Sequence, residues 1–175
     1  MQPKYPVYIV SKGRWESRLT ARALDAMNVP YLMVIEQSEH AHYAAVIDPA
    51  RLLILDPEYQ RAYDACDEEA GKSKGSGPAR NFVWDHARAA SAARHWIVDD
   101  NIVRFYRLNR NAKIQLLDGT GFYAMEMFCD RYENVLMAGP NYEHFVIRRS
   151  RKQPFTLNTR IYSCNLIQTD APFRW

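Results

Sequence analysis

The sequence predicts an α/β protein: a mostly parallel, Rossmann-type sheet flanked by helices, with a smaller mixed or antiparallel sheet in its second half. Three observations carry that expectation. Four short apolar runs, at residues 5–10, 31–35, 52–55 and 96–98, lack the polar alternation of a half-solvated strand and so read as buried on both faces. Stretches with helical periodicity separate them, and alternating strands and helices call for a parallel sheet covered on both sides. The length, 175 residues, suits one domain with one core.

Residues 5–10 (YPVYIV) form the first expected strand, ending in the polar turn Ser11-Lys12-Gly13-Arg14. A helix over 16–27 follows, with Leu19, Ala23, Leu24 and Met27 on one face. Residues 31–35 (YLMVI) are a strand closed by Glu36, 38–46 a short helix with Ser38 as its cap, and 52–55 (LLIL) a third strand. Residues 57–70 suit a short acidic helix, and 71–77 (GKSKGSG) a flexible basic loop. A strong helix begins at Pro78, a permitted first-turn position, and runs to about Arg94. The strand at 96–98 then stops abruptly at Asp99-Asp100-Asn101. Beyond it, residues 103–108, 115–117, 135–138, 144–148 and 160–167 read as antiparallel or mixed strands, interrupted by a helix over 122–132.

Composition narrows the class. Hydrophobic residues at 47% and charged residues at 25% are ordinary for a globular chain and argue against disorder. No apolar run approaches the ~20 residues of a membrane-spanning helix. The N-terminal residues do not read as a secretory signal. Cys66, Cys129 and Cys164 are odd in number and form no ligand-like cluster, which points to reduced thiols and a cytoplasmic setting. The net charge of +3 is uneven: residues 1–90 carry 11 basic and 12 acidic side chains, residues 91–175 carry 12 and 8. Arg148, Arg149, Arg151 and Lys152 cluster in the basic half, where a nucleic acid would lie; a solvated surface is the alternative.

In an open α/β sheet, ligands bind beyond the carboxyl ends of the strands. Ser11 to Arg14, Glu36, the loop before Arg80, and Asp99-Asp100-Asn101 all fall on that rim. Two adjacent carboxylates at a strand end repel, and a divalent cation relieves them; Mg²⁺ or Mn²⁺ prefers a few carboxylates plus phosphate oxygens. A solvated turn is the alternative. Lys72, Lys74 and Arg80 lie on or just after the glycine loop at a helix start, a setting that favours phosphate, although the P-loop spacing is absent. His86 reads as a satisfied helix residue, and His40, His42 and His95 lack metal-ligand spacing. The acidic surroundings of Cys66 argue against a nucleophile. Phe122, Tyr123, Phe128, Tyr132, Tyr142 and Phe145 read mainly as core, with one or two able to stack an unpaired base.

An initial strand with a polar turn, a second strand ending in an acid, an Ala-Arg-Asn helix start and a strand ending in Asp-Asp resemble nucleotide-sugar glycosyltransferases of the GT-A fold. A narrower resemblance rests on Tyr8-Ile9-Val10-Ser11-Lys12-Gly13-Arg14, Gly77-Pro78-Ala79-Arg80-Asn81-Phe82, Asp85-His86-Ala87, Val98-Asp99-Asp100-Asn101-Ile102, Phe105-Tyr106-Arg107 and Asn158-Thr159-Arg160-Ile161-Tyr162-Ser163-Cys164. In this order and spacing they resemble the TET-associated glycosyltransferases. The resemblance implies a phage-type enzyme that moves a sugar from a UDP-sugar to a hydroxymethylated pyrimidine in DNA, with Mn²⁺ or Mg²⁺. It implies that Ser11 and Arg14 flank the nucleotide, that Glu36 meets the uridine, and that Arg80 faces the uridine or the diphosphate. Lys12 and Asn81 belong to the same donor-binding set. Asp99 lies near ribose and metal, with Asp100 or Asn101 completing the metal site.

On this reading residues 1–175 are one domain, with a nucleotide-sugar half at 1–101 and an acceptor half at 102–175. The resemblance also implies a further acidic segment after the Pro172-Phe173-Arg174-Trp175 stretch, carrying the base. The chain is therefore expected to be incomplete at its C-terminus, and no catalytic residue is assigned. Two other readings stay open: a nucleotide-sugar or nucleic-acid binding module without turnover, and a nucleotidyltransferase.

Overall fold

The structure is a computed structural model that describes residues 1–65, 74–146 and 153–175. Its centre is β1 (Val7–Val10), paired in parallel with β2 (Leu32–Ile35) on one side and β4 (Arg94–Asp99) on the other. β3 (Leu52–Ile54) extends the parallel part beyond β2. β8 (Cys164–Gln168) runs antiparallel to β4, and β7 (Met137–Ala138) antiparallel to β8, giving the order β3-β2-β1-β4-β8-β7. A separate hairpin joins β5 (Tyr106–Asn109) to β6 (Ala112–Gln115). The expected mostly parallel sheet with a small antiparallel one is therefore present.

Strand alternation divides the core into two layers. Val7, Ile9, Met33, Trp96, Val98 and Leu166 face α1 (Leu19–Ala26), α2 (His40–Ala44) and α5 (Thr120–Cys129). Tyr8, Val34, Ile97 and Ile167 face the other way, onto Val83, Trp84 and Ala87 of α4 (Gly77–Ala89). Both sides of β1 and β4 are thus covered, which is why their sequences are apolar without alternation. Ile9, Leu24, Met33, Ile97 and Leu166 are fully buried, each contributing about 1.5–3 kcal/mol of transfer free energy.

From β1 the chain crosses through α1 toward β2 and β3, then returns through α3 (Pro57–Ala62) and α4 to β4 on the opposite flank of β1. The crossover direction reverses between β1 and β4, and the carboxyl ends of those strands border the crevice such a reversal leaves.

Several element bounds differ from expectation for local reasons. α1 starts at Leu19 and not at residue 16, because Arg18 sits in a left-handed conformation (φ 32°) and its guanidinium donates to the carbonyls of Trp15 and Glu16. α4 ends at Ala89, where Ser91 at φ 54° and the Ala92 N–H to Ala87 C=O bond close the helix, so β4 begins at Arg94. The hairpin turns at Arg110 and Asn111, both at positive φ as a type I′ turn requires. A 3₁₀ turn at Glu143–Phe145 stands where a strand over 144–148 was expected, and residues 147 and 148 lie outside the described residues. α3 is confined to Pro57–Ala62, and the rest of the expected acidic helix, from 66 on, lies outside the described residues. The final strand is shorter than the expected 160–167.

A buried polar cluster closes the end of the sheet away from the crevice. Glu126 of α5, fully buried, accepts from the backbone N–H groups of Lys4 (2.7 Å) and Tyr5 (3.3 Å) and from Trp96 Nε1 (2.7 Å). Arg94 donates to Asp130 at 3.2 Å and to the Val135 carbonyl at 2.7 Å. These bonds fix the entry into β1 and β4.

Candidate functional site

Register brings the first two site residues together: Val10 of β1 pairs with Asp99 of β4, so Ser11 and Asp100 leave the sheet side by side. Ser11, buried, donates its hydroxyl proton to Asp100 Oδ2 at 2.8 Å. Its oxygen is 2.6 Å from the hydroxyl of Tyr43, which itself accepts the Arg14 N–H at 3.1 Å. A consistent proton direction follows, from Arg14 N–H to Tyr43, from Tyr43 to Ser11, and from Ser11 to the Asp100 carboxylate. Tyr43 is fully buried, and burial raises its phenol pKa, so it stays protonated in this chain of bonds. The Arg14 guanidinium stands 3.4 Å from the other Asp100 oxygen.

The Asp99–Asn101 turn is pinned from beneath by Thr20 on α1. Thr20 Oγ1 donates to the Asp99 carbonyl at 2.5 Å and accepts the Ile102 N–H at 2.8 Å. The Asp99 N–H in turn donates to the Ser163 carbonyl at 2.7 Å, tying the turn to the chain entering β8.

Glu36, at the end of β2, accepts from Lys12 Nζ at 2.6 Å and from Gln60 of α3 at 2.9 Å. Gly13 between them is at φ +68°, a region costly to a side chain, and its N–H donates to Glu39 at 2.8 Å. Arg80, in the first turn of α4, donates to Asp99 Oδ1 at 2.7 Å and to Ser76 Oγ at 3.0 Å. Its guanidinium lies 4.3 Å from the centre of the Trp175 ring. Asn81 pairs with the backbone of Trp175 in both directions at 3.1 Å, so its side chain holds the C-terminal segment and does not line the crevice.

These groups surround a cleft of about 370 Å³ whose walls include Ser11, Lys12, Glu36, Arg80, Asp99 and Asp100. Asn101 also lines it and is exposed. The volume falls in the range of small-molecule sites. Each wall carboxylate has a cationic partner: Glu36 has Lys12, Asp99 has Arg80, and Asp100 has Arg14. A polar, charge-compensated crevice of this kind suits a ligand that carries both anionic groups and hydrogen-bonding hydroxyls or ring nitrogens.

The remaining sequence candidates lie elsewhere. Lys74 is turned back onto the carbonyls of Arg61 (3.3 Å) and Tyr63 (2.6 Å). Lys72, Cys66 and the basic run Arg148, Arg149, Arg151 and Lys152 lie outside the described residues. His86 shares a 2.8 Å hydrogen bond with the Tyr8 hydroxyl, a structural contact. Cys129 and Cys164 are buried free thiols, and burial raises both pKa values. Among the described residues no group of three His, Cys, Asp or Glu side chains forms a metal cage, and no helix is long and apolar enough to cross a membrane. Tyr43, Thr20, Gln60 and Trp175 are site residues that sequence reasoning did not single out. The one available signal was a polar residue on an apolar helix face, as at Thr20 beside Leu24 and Tyr43 beside Ile47.

No curated protein matches the chain. Among solved structures, the mannosyltransferase Ktr4p from S. cerevisiae aligns with a TM-score of 0.45 and 10% identity over 77% of this chain. The chain spans 38% of that protein's length. The family comparison covers more: the model of the TET-associated glycosyltransferases matches residues 5–175, from just before β1 through the Trp175 that stacks on Arg80. With the cleft's strand-end residues inside that match, the chain belongs to the TET-associated glycosyltransferase family.

Proposed function

We propose that the cleft between the ends of β1 and β4 binds the nucleotide-sugar donor of a glycosyltransferase of the GT-A type, a UDP-sugar. The acceptor on this reading is a hydroxyl, that of a 5-hydroxymethylpyrimidine in phage DNA, and the enzyme works in the host cytoplasm. One observation carries the donor assignment. Residues drawn from four separate stretches, Ser11–Lys12, Glu36, Arg80 and Asp99–Asn101, converge on one crevice at the point where the crossover direction reverses.

The residues divide the work by charge. Glu36 accepts hydrogen bonds and so suits the N–H of a uracil ring, with Lys12 and Gln60 holding its carboxylate in place. Arg80 and Arg14 are the cations of the rim, and a guanidinium fork matches diphosphate oxygens. Their pairs with Asp99 and Asp100 keep them oriented before a donor enters. Asp99 and Asp100 fit a divalent cation as two carboxylates, with diphosphate oxygens and water supplying the other positions. Asp99 has one oxygen bonded to Arg80, whereas both Asp100 oxygens are engaged, by Arg14 and Ser11. A bound Mn²⁺ or Mg²⁺ would neutralise the charge that develops on the departing nucleoside diphosphate. Preorganised donors aimed at that charge are the protein's own contribution.

A second reading has its own observation. Every carboxylate on the cleft wall is ion-paired, and none stands out as a base for the acceptor hydroxyl. That arrangement suits donor binding without turnover. UDP-release kinetics with a UDP-sugar and hydroxymethylated DNA, run beside calorimetric titration with UDP and Mn²⁺, separate the two. Binding with release supports the enzyme, binding without release supports the binding module, and absence of binding at millimolar UDP refutes the donor site.

A further inference from the structure

Two features of the second half, neither part of the donor cleft, meet beside it. The first is a ladder of aromatic rings. Tyr142 stacks with Tyr162 at 4.7 Å between centroids and 26° between planes, and with His144 at 5.4 Å and 22°. Phe145 lies 4.1 Å from His144 and 5.7 Å from Tyr162. The ladder is built into the fold. A Cβ at Gly139 would stand 2.2 Å from the Cys164 carbonyl oxygen, so only glycine lets the chain leading to Tyr142 run this close to β8. The Tyr142 and Ser163 hydroxyls share a hydrogen bond, and the Ser163 carbonyl accepts the Asp99 N–H. The rings are therefore tied through Ser163 to the backbone of Asp99. They are not sealed as a core would be: Phe145 is 49% exposed, and His144 is exposed as well.

The second feature is the β5–β6 hairpin. Residues 102–117 contain Arg104, Arg107, Arg110 and Lys113 and no Asp or Glu, and the three arginines are exposed. Lys113 Nζ donates to the Glu143 carbonyl at 2.7 Å, which couples the hairpin to the turn that carries His144 and Phe145.

Exposed rings recognise flat heterocycles, and exposed cations recognise a polyanion. Joined through the Lys113–Glu143 contact, the two features match an unpaired base whose phosphodiester backbone runs over the hairpin. Resting on the glycosyltransferase reading above, we propose that Tyr142, His144, Phe145 and Tyr162 form the acceptor platform. The acceptor base stacks there outside a duplex, on the Asp99 side of the donor cleft, while Arg104, Arg107 and Arg110 hold the flanking phosphates. A neutral glycan also stacks on aromatic rings, but it offers the hairpin arginines no charge. A base inside a duplex has both faces covered by its neighbours and offers the rings none. The platform thus favours single-stranded or base-flipped DNA over intact duplex.

The test uses a single-stranded oligonucleotide carrying one 2-aminopurine, whose fluorescence falls when it stacks on a ring. The full chain is expected to quench it and to bind the single strand at least tenfold more tightly than the matching duplex. Phe145→Ala and His144→Ala, both at exposed positions, are each expected to weaken binding about 5- to 150-fold, the range of one base–aromatic stack. Arg107→Gln with Arg110→Gln is expected to reduce the slope of log K against log salt by about 1.4, the single-strand value for two cations, while leaving the quench at saturation intact. UDP titration of the same variants is expected to match the wild type. Equal affinity for duplex and single strand, quenching unaffected by both ring variants, or tighter binding of a neutral oligosaccharide than of the oligonucleotide would each overturn the proposal. Ring-dependent oligonucleotide binding by a chain that fails to bind UDP would refute the donor reading and leave the platform standing.

Discussion

Thr20→Val tests whether the Asp99–Asn101 turn is held in place by a single hydroxyl. Valine matches threonine in shape, so packing at this fully buried site is kept while both hydrogen bonds go. The Asp99 carbonyl loses a 2.5 Å donor and the Ile102 N–H loses a 2.8 Å acceptor, both in a half-buried turn. Leaving a buried donor or acceptor unmade costs about 1–3 kcal/mol each. Because both groups are only partly enclosed and the turn can relax toward solvent, a total of about 2–4 kcal/mol is expected. For a domain of this size each kcal/mol shifts Tm by about 2–4 °C, so calorimetry should read a drop of about 5–15 °C. The same relaxation moves Asp99 and Asp100, so the stabilisation that UDP with Mn²⁺ gives the wild type should shrink. Thr20→Ser, which retains the hydroxyl, should recover most of both effects. A Tm within 2 °C of wild type with full nucleotide stabilisation would refute the argument that Thr20 pins the turn.

Other perturbations reach different parts of the structure. Glu126→Ala strips the acceptor from the Lys4 and Tyr5 N–H groups and from Trp96 Nε1, and chemical denaturation should show a loss of about 3–5 kcal/mol, smaller for Glu126→Gln. His95 is fully buried and bonded through Nδ1 to Thr169, and burial, aided by the nearby Arg174, lowers its pKa to about 4. Its folded pKa lies below the unfolded value, so the unfolded chain takes up the proton first. Stability is therefore full above pH 6.5 and is lost as pH falls toward 4, by about 3 kcal/mol. Denaturation at several pH values should show that decline flattened in His95→Gln. Trp175→Ala removes the ring from the Arg80 guanidinium, and UDP affinity should fall about 2- to 30-fold, with Trp175→Phe close to wild type. Unchanged UDP affinity in the alanine variant would show that Arg80 is held by Asp99 and Ser76 alone.

The parallel sheet was legible because its strands are short apolar runs that stop at polar residues, and strand ends are where an α/β sheet exposes chemistry. Ser11, Glu36, Arg80 and Asp99 could thus be placed on one rim from spacing alone. What held them there was not legible. Thr20 and Tyr43 lie on apolar helix faces, and nothing in their neighbourhoods in the sequence says that a hydroxyl will meet a turn 79 residues away or a serine 32 residues away. Asn81 belongs to a motif that suggests ligand contact, yet a tertiary partner, the Trp175 backbone, takes up its amide. The hairpin turn was missed because Arg110-Asn111 lacks the glycine that usually signals positive φ. The nucleic-acid expectation rested on a charge run that lies outside the described residues, and the hairpin's cations, spaced out along two strands, form no such run in the sequence.

The central claim is that the crevice at the ends of β1 and β4 holds a nucleoside diphosphate. Calorimetric titration of the full chain with UDP in the presence of Mn²⁺ addresses it most directly, with Asp100→Ala as the paired variant. The account expects saturable one-to-one binding that weakens at least tenfold in Asp100→Ala. Absence of heat at millimolar UDP, or equal affinity in the variant, would contradict it.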